Sequence, residues 1–327
     1  MTHIPETQDG INPARAFQAQ ARALRIHAYG GAEVARIDTL DAPHPGPGQV
    51  LVQVKSAGIN SLDWKVREGY VRDAFPLALP ATLGIELAGV VLRTDPGATR
   101  FKLGDRVMGP LAGLGAYADL VVVDEDKLNL IPAGLSDVEA GAIPVASLTA
   151  WQVLQSTGQP LFGKRILIHG AAGGVGGFAV QFAKAAGAIV LATASAASRA
   201  HVLGLGADTV IDYRAERFED TAAAIDLVID LVGGETLDRS WGVLAPGGLL
   251  VSTAAPDVAA RAPVGHVGQW FAMRPDSARL AQIARDVAAG RLVSTIAEVV
   301  GFGELSAAIE RNRTGHAPGK TVVDLGR

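Results

Sequence analysis

The chain has 327 residues, a length that predicts about two domains, and its 49% apolar and 19% charged content is that of an ordinary globular protein. A formal net charge of −4 argues against nucleic-acid binding, which demands a basic face, and no apolar run reaches the roughly 18 residues that mark a membrane span. There is no cysteine, which excludes disulfides, thiolate chemistry and any cysteine-based zinc site. A cytoplasmic location fits this composition and is the expected one.

In chain order, residues 1–22 read as an N-terminal extension, polar as far as Pro13 and then alanine-rich with Arg15 and Arg22. Glu6 and Asp9 run against a transit peptide, which is basic and poor in acids. The fold starts at 23–38, where Leu24, Ile26 and Ala28 alternate ahead of a Gly30-Gly31 turn. After a rigid connector at Pro43, Pro45 and Pro47, residues 50–57 (VLVQVKSA) alternate strictly and predict a half-exposed strand. Residues 58–69 (GINSLDWKVREG) predict a loop entering a short helix. Strand-like runs follow at 84–91, 101–109 and 115–123, so this first region is a small, mostly β, partly closed domain.

The texture changes from Ile143. Residues 147–154 predict a helix, and strands and helices then alternate at 166–169, 177–186, 188–193, 198–204, 209–212, 226–232 and 249–253. That alternation predicts an α/β unit with a doubly wound parallel sheet. An amphipathic helix is expected at 277–289, and strand-like runs at 293–300 and 320–325 are expected to return to the first domain.

The most informative stretch is 165–195. A buried strand at Ile166, Leu167 and Ile168 leads into Gly170-Ala-Ala-Gly173-Gly174-Val175-Gly176-Gly177, then a helix that Gly187 ends, then a second strand. Strand, glycine turn, helix and strand in that order give a glycine pattern its specificity as a dinucleotide site. The glycines allow backbone N–H groups close to a pyrophosphate at the positive end of a helix. Folds that bind NAD usually place an acid roughly 20 residues past the first glycine, for the ribose 2′-hydroxyl. Here no carboxylate occurs between Gly170 and Asp208, and Ser195, Ser198 and Arg199 stand in that region. Arg pairs bidentately with phosphate, so the expected cofactor is NADP(H). The competing reading makes Arg199 a solvated residue of the next helix.

With these pieces in place the chain resembles the medium-chain dehydrogenase/reductase superfamily, in its zinc-free quinone reductase and alkenal (enone) reductase branch. The matching blocks are AGINSLDWKVREG, GIELAGVV, KLGDRVMG, GAYADLVVV, LTAWQVL, GAAGGVG, LGADTVIDY and HAPGKTVVDL, in that order. The resemblance implies a GroES-like, mostly-β catalytic domain from residues 23–144 and 291–327. A Rossmann NADP(H)-binding domain at 145–290 is inserted between, with the active cleft at their junction. Zinc alcohol dehydrogenases of the superfamily carry a Cys and a Gly-His-Glu. Here the triplet is Gly84-Ile85-Glu86 and no Cys exists, so no metal site is expected. Glu86 reads as a buried carboxylate paired with a Lys or Arg rather than as a catalytic acid.

Without a metal, the reaction implied is hydride transfer from NADPH to a quinone or an α,β-unsaturated carbonyl. The resemblance places Asn60, Asp63 and Lys65 beside the nicotinamide and substrate. Asn60 is expected to donate its amide there, and Lys65 to stabilise a developing enolate; a salt bridge from Lys65 to Asp63 or Glu68 is the competing reading. Tyr70 and Tyr117 are candidate proton donors. Thr149 is expected to touch the cofactor near the nicotinamide. Ala172, Gly173, Gly174 and Val175 are expected at the pyrophosphate, Tyr213 at the adenosine, and Val232 and Ser252 at strand ends by the nicotinamide ribose. Phe271 and Lys320 complete the cofactor set. The seven histidines show no metal spacing and read as structural or solvated.

Two other functions fit the same residues: an enoyl-type acyl reductase, and a non-catalytic NADPH-binding accessory or sensor protein. The partners expected are a small-molecule substrate and a second copy of the chain, a homodimer joined at the edge of the nucleotide-domain sheet, with 249–253 or a strand near it as the edge.

Overall fold

The computed structural model describes residues 20–73, 75–315 and 318–326. Most of the expected extension, with His3, lies outside the described residues, as does His316.

Six strands form one parallel sheet in the spatial order Thr209–Asp212, Ile189–Ala194, Arg165–His169, Ile225–Asp230, Leu244–Ser252, Val267–Trp270. The order reverses direction at Arg165–His169, the first of these strands in the chain. A crevice therefore opens at the carboxyl ends, between this strand and Ile225–Asp230. The central strands are apolar on both faces because helices cover both, and Ile166, Leu167, Ile168, Val228 and Ile229 have no exposed surface. Helix Gly174–Ala185 crosses from the first strand to the second and packs on helix Pro144–Gln155, with Trp151 edge-on to Phe182 at 5.4 Å. Pro144 opens its helix at the position where a missing N–H costs nothing.

The expected 249–253 strand is longer, Leu244–Ser252, because the Pro246-Gly247-Gly248 turn is absorbed as an irregularity in its pairing with Ile225–Asp230. It is an interior strand, and the sheet edge on that side is Val267–Trp270.

The other half is a seven-stranded sheet. Its path runs Ile296–Gly301, Lys320–Asp324, Gln49–Gly58, Glu86–Thr94, Arg106–Pro110, Asn129–Leu130, with Leu120–Asp124 also paired to Gln49–Gly58. The strand Lys320–Asp324 is thus hydrogen-bonded to Gln49–Gly58, antiparallel, and the Leu325 N–H continues the pairing to the Lys55 carbonyl at 3.0 Å. Gln49–Gly58 is more buried than its alternation predicts. Val50, Leu51 and Val52 are all fully buried, since Leu51 faces a small second cluster with Ala21, Ala42 and Leu120. A separate three-stranded sheet contains the hairpin Gln20–Ile26 with Ala35–Asp41. Its first strand begins inside the segment read as extension, because the Arg22 guanidinium bonds both oxygens of Asp119 at 2.9 and 3.0 Å.

Candidate active site

A cavity of about 730 Å³ lies between the two halves. Its floor is the turn after Arg165–His169. Gly170 has φ +73°, and a Cβ on Gly176 would sit 2.3 Å from the Gly170 carbonyl oxygen, so only glycine permits this crossing. Gly173 caps helix Gly174–Ala185 without a side-chain hydrogen bond, leaving the first N–H groups directed at the cavity. Ala172, Gly173, Gly174 and Val175 all line it. These features suit the pyrophosphate of a dinucleotide.

One end of the cavity is formed at the carboxyl ends of the second and third strands. Ser195, Ser198 and Tyr213 lie there as expected, with the two serine hydroxyls 3.3 Å apart. Arg199 is not on the wall: its guanidinium bonds Glu216 at 2.8 Å, and Glu216 is the residue that lines the cavity. Val232 lines the wall from the loop after Ile225–Asp230. Ser252 is one step behind it. Its hydroxyl donates to Asp230 Oδ2 at 2.6 Å, and Asp230 Oδ1 accepts from the N–H groups of Val232 and Gly233. Ser252 therefore shapes the loop and does not face the cavity.

His169, at the first strand's end, also borders the cavity. The Ser240 hydroxyl donates to the Thr236 carbonyl, so it accepts from His169 Nε2 at 3.0 Å, and Nδ1 is left to accept from Thr193 at 3.1 Å. Burial holds this ring neutral, its pKa lowered to about 4.

The catalytic-half wall rests on a buried polar cluster. Glu86 has no exposed surface, and its Oε1 accepts from Lys320 Nζ at 2.7 Å and Asn60 Nδ2 at 2.9 Å. Its Oε2 accepts from the Val145 N–H, at 2.7 Å, at the start of the first helix of the nucleotide half. The paired-carboxylate reading of Glu86 is what the structure contains. Asn60 lines the cavity, but its amide hydrogens are directed to Gly58 O and Glu86, and its oxygen accepts from Lys320, so the expected donation to ribose or substrate is not available in this arrangement. Lys320 reaches the wall beside Gly319, which bridges to Gly173 and ties the chain's last strand to the glycine turn.

Asp63 is fully buried. It accepts from Tyr117 Oη at 2.6 Å and from the Asn60 N–H at 2.7 Å, and burial raises its pKa to about 6. Tyr117 is thereby a buried structural donor, its own pKa raised by burial and by Asp63. Lys65, expected beside the nicotinamide and substrate, is not on the cavity wall, and it makes no salt bridge with Asp63 or Glu68. Its ammonium lies 5.7 Å from the Trp64 ring, and burial lowers its pKa against the opposing field of Asp230 from the other half.

Three more expectations fall outside the cavity wall. Tyr70 is 74% exposed and lies edge-on to Trp64. The Thr149 hydroxyl is turned back onto the Val145 carbonyl at 2.6 Å, the usual satisfaction of a hydroxyl inside a helix. Phe271 packs on the hydrophobic core of the nucleotide half. The wall also contains residues the sequence reading missed: Arg311, Asn312 and Thr314 from helix Leu305–Thr314, and Arg239, which grips both oxygens of Glu219 at 2.6 Å. The run Arg311-Asn312-Arg313-Thr314-Gly315, just before the Gly-Lys step, was the available signal.

Residues 46–133 match the alcohol dehydrogenase GroES-like domain, and residues 205–323 match a zinc-binding dehydrogenase domain. The chain is 38% identical over 240 residues to a quinone oxidoreductase of Pseudomonas aeruginosa, covering 71% of this chain and 73% of that one. The structure of Escherichia coli quinone oxidoreductase complexed with NADPH superposes with a TM-score of 0.84 at 27% identity, over 93% of this chain and 99% of that one. A polyketide synthase component of Streptomyces venezuelae, PikAII, is 37% identical over 241 residues, 70% of this chain but 6% of the synthase. The fold and site are those of a medium-chain dehydrogenase/reductase, an oxidoreductase that works with a nicotinamide coenzyme. Within that superfamily the chain belongs to the quinone oxidoreductase family.

Proposed function

We propose that the protein transfers hydride from NADPH to a quinone or an α,β-unsaturated carbonyl without zinc. The observation that carries the coenzyme choice is the pair of hydroxyls, Ser195 and Ser198, on the cavity wall at the end of the second strand, where an acid would bind a free ribose diol. The bound coenzyme would supply the hydride. The chain's own residues hold the pyrophosphate at the glycine turn and close the cleft between the halves. Tyr70 is too exposed to act as a shielded acid, and the proton is assigned to solvent. Zinc independence is supported by the absence of cysteine and by Glu86, whose two oxygens are engaged by Lys320, Asn60 and Val145. Among the described residues no group of three His, Cys, Asp or Glu side chains is arranged to hold a metal.

The same proposal includes a cytoplasmic homodimer, supported by the edge strand Val267–Trp270, where Val267 and Trp270 are exposed. No helix among the described residues is long and apolar enough to cross a membrane. The test is NADPH oxidation, followed by absorbance, with a benzoquinone, a naphthoquinone, a short enone and an alkenal, run with and without a chelator and with NADH in parallel. Chelator-insensitive turnover is the expected result. A second reading, reduction of an enoyl thioester, is favoured by the resemblance to the synthase component, and turnover confined to a crotonyl thioester would establish it instead. Binding of NADPH with no turnover on any acceptor would point to the accessory role.

A further inference from the structure

The carboxylate missing from the second strand is present in space, delivered from the third. Glu216 lies just beyond Thr209–Asp212 and lines the same cavity end as Ser195, Ser198 and Tyr213. That loop is held against the second strand by the Tyr213 N–H, which bonds the Ala194 carbonyl at 3.3 Å. Glu216 is itself oriented: its Oε1 accepts from Arg199 Nη2 at 2.8 Å and from the Asp212 N–H at 3.1 Å. Arg199 and Glu216 are 44% and 45% exposed, and an ion pair so open to water is weak and exchangeable.

We propose that Glu216 and Arg199 form a coenzyme selector at this end of the cavity. The proposal rests on the functional reading above, since it takes a nicotinamide dinucleotide to occupy the cavity. A ribose 2′,3′-diol donates hydrogen bonds, which a carboxylate accepts, so Glu216 favours NADH. A 2′-phosphate is repelled by Glu216 and attracted by Arg199 and the serine hydroxyls, so NADPH binds by drawing Arg199 away from its partner. The pair therefore narrows the NADPH preference that the serines alone would set, and the protein accepts both coenzymes.

The experiment is direct titration with NADPH and with NADH, read by nicotinamide fluorescence without any acceptor present. Glu216→Gln retains an acceptor for the Asp212 N–H while removing the charge. It should raise the NADPH-to-NADH affinity ratio about tenfold, equivalent to about 1.4 kcal/mol. Arg199→Ala, at the exposed start of its helix, should lower the ratio by a similar factor. A ratio that stays within about twofold in both variants, or moves the opposite way, overturns the selector while leaving the functional reading intact. Failure of the wild-type protein to bind either coenzyme overturns the functional reading and the selector with it.

Discussion

Removing one partner of the Glu86–Lys320 pair should be far more damaging than removing both. Glu86 is fully buried and the Lys320 side chain is 8% exposed, with Nζ 2.7 Å from Oε1. Glu86→Gln leaves one acceptor oxygen for three donors, Lys320, Asn60 and the Val145 N–H, and presents an NH2 group to at least one of them. Lys320→Met leaves a carboxylate with two neutral donors and no counter-charge. Breaking a buried pair from one side typically costs about 3–5 kcal/mol, because the remaining charge stays desolvated. The double variant Glu86→Gln/Lys320→Met removes both charges and should cost about 3 kcal/mol less than the sum of the singles. Urea unfolding of the four proteins, followed by tryptophan fluorescence with slopes compared, measures this directly. Additivity within about 0.5 kcal/mol would refute the reasoning, since it would mean that the two charges do not sense one another. Because Glu86 also accepts from Val145 in the other half, the singles should lose coenzyme affinity together with stability.

The turn and the buried titratable groups give further tests. Gly176→Ala would force a Cβ to within 2.3 Å of a backbone oxygen, so it should cost about 1–3 kcal/mol and weaken coenzyme binding at least tenfold in a fluorescence titration. Gly204→Ala, with open space around its Cβ in a helix, should instead stabilise by about 0.5–1 kcal/mol. His169 titrates near 4 in the fold and near 6.5 unfolded, so its stabilising contribution is whole above pH 6.5 and is lost as pH falls toward 4, about 3 kcal/mol in all. Denaturation of wild type and His169→Asn across that window should show the gap between them closing as pH falls. Asp63 has the opposite sign: raised to about 6, it stabilises fully below pH 4 and loses that contribution as pH rises through 6. Tyr117→Phe, which removes a bond to the ionised form, should therefore destabilise more at pH 8 than at pH 5.

What could be read from the chain alone was whatever is decided over a few neighbouring residues. The glycine turn is legible because a strand, a positive-φ glycine, a close backbone crossing and a helix start all occur between Arg165 and Ala185. Ser195 and Ser198 are legible because strand ends define the crevice of a parallel sheet. Glu86 is legible in kind, since a carboxylate in an apolar run needs a partner, although nothing local names Lys320 as that partner. Partnerships across the fold were not legible, and they changed the functional picture most. Arg199 reads as a phosphate ligand because its own segment holds no acid, yet Glu216 from just beyond the next strand pairs with it. Arg67 is 1% exposed and paired with Glu68 and with Glu310 of helix Leu305–Thr314, a partner 243 residues away in the sequence. That contact anchors the helix end that also supplies Arg311, Asn312 and Thr314 to the cavity. A charge reads as solvent-facing until topology brings an opposite charge beside it, and for Arg67 the topology does so because the chain returns to its first sheet after completing the parallel one. The glycine turn is accordingly written in local motifs, whereas the far wall is set by pairs that only the closed fold creates.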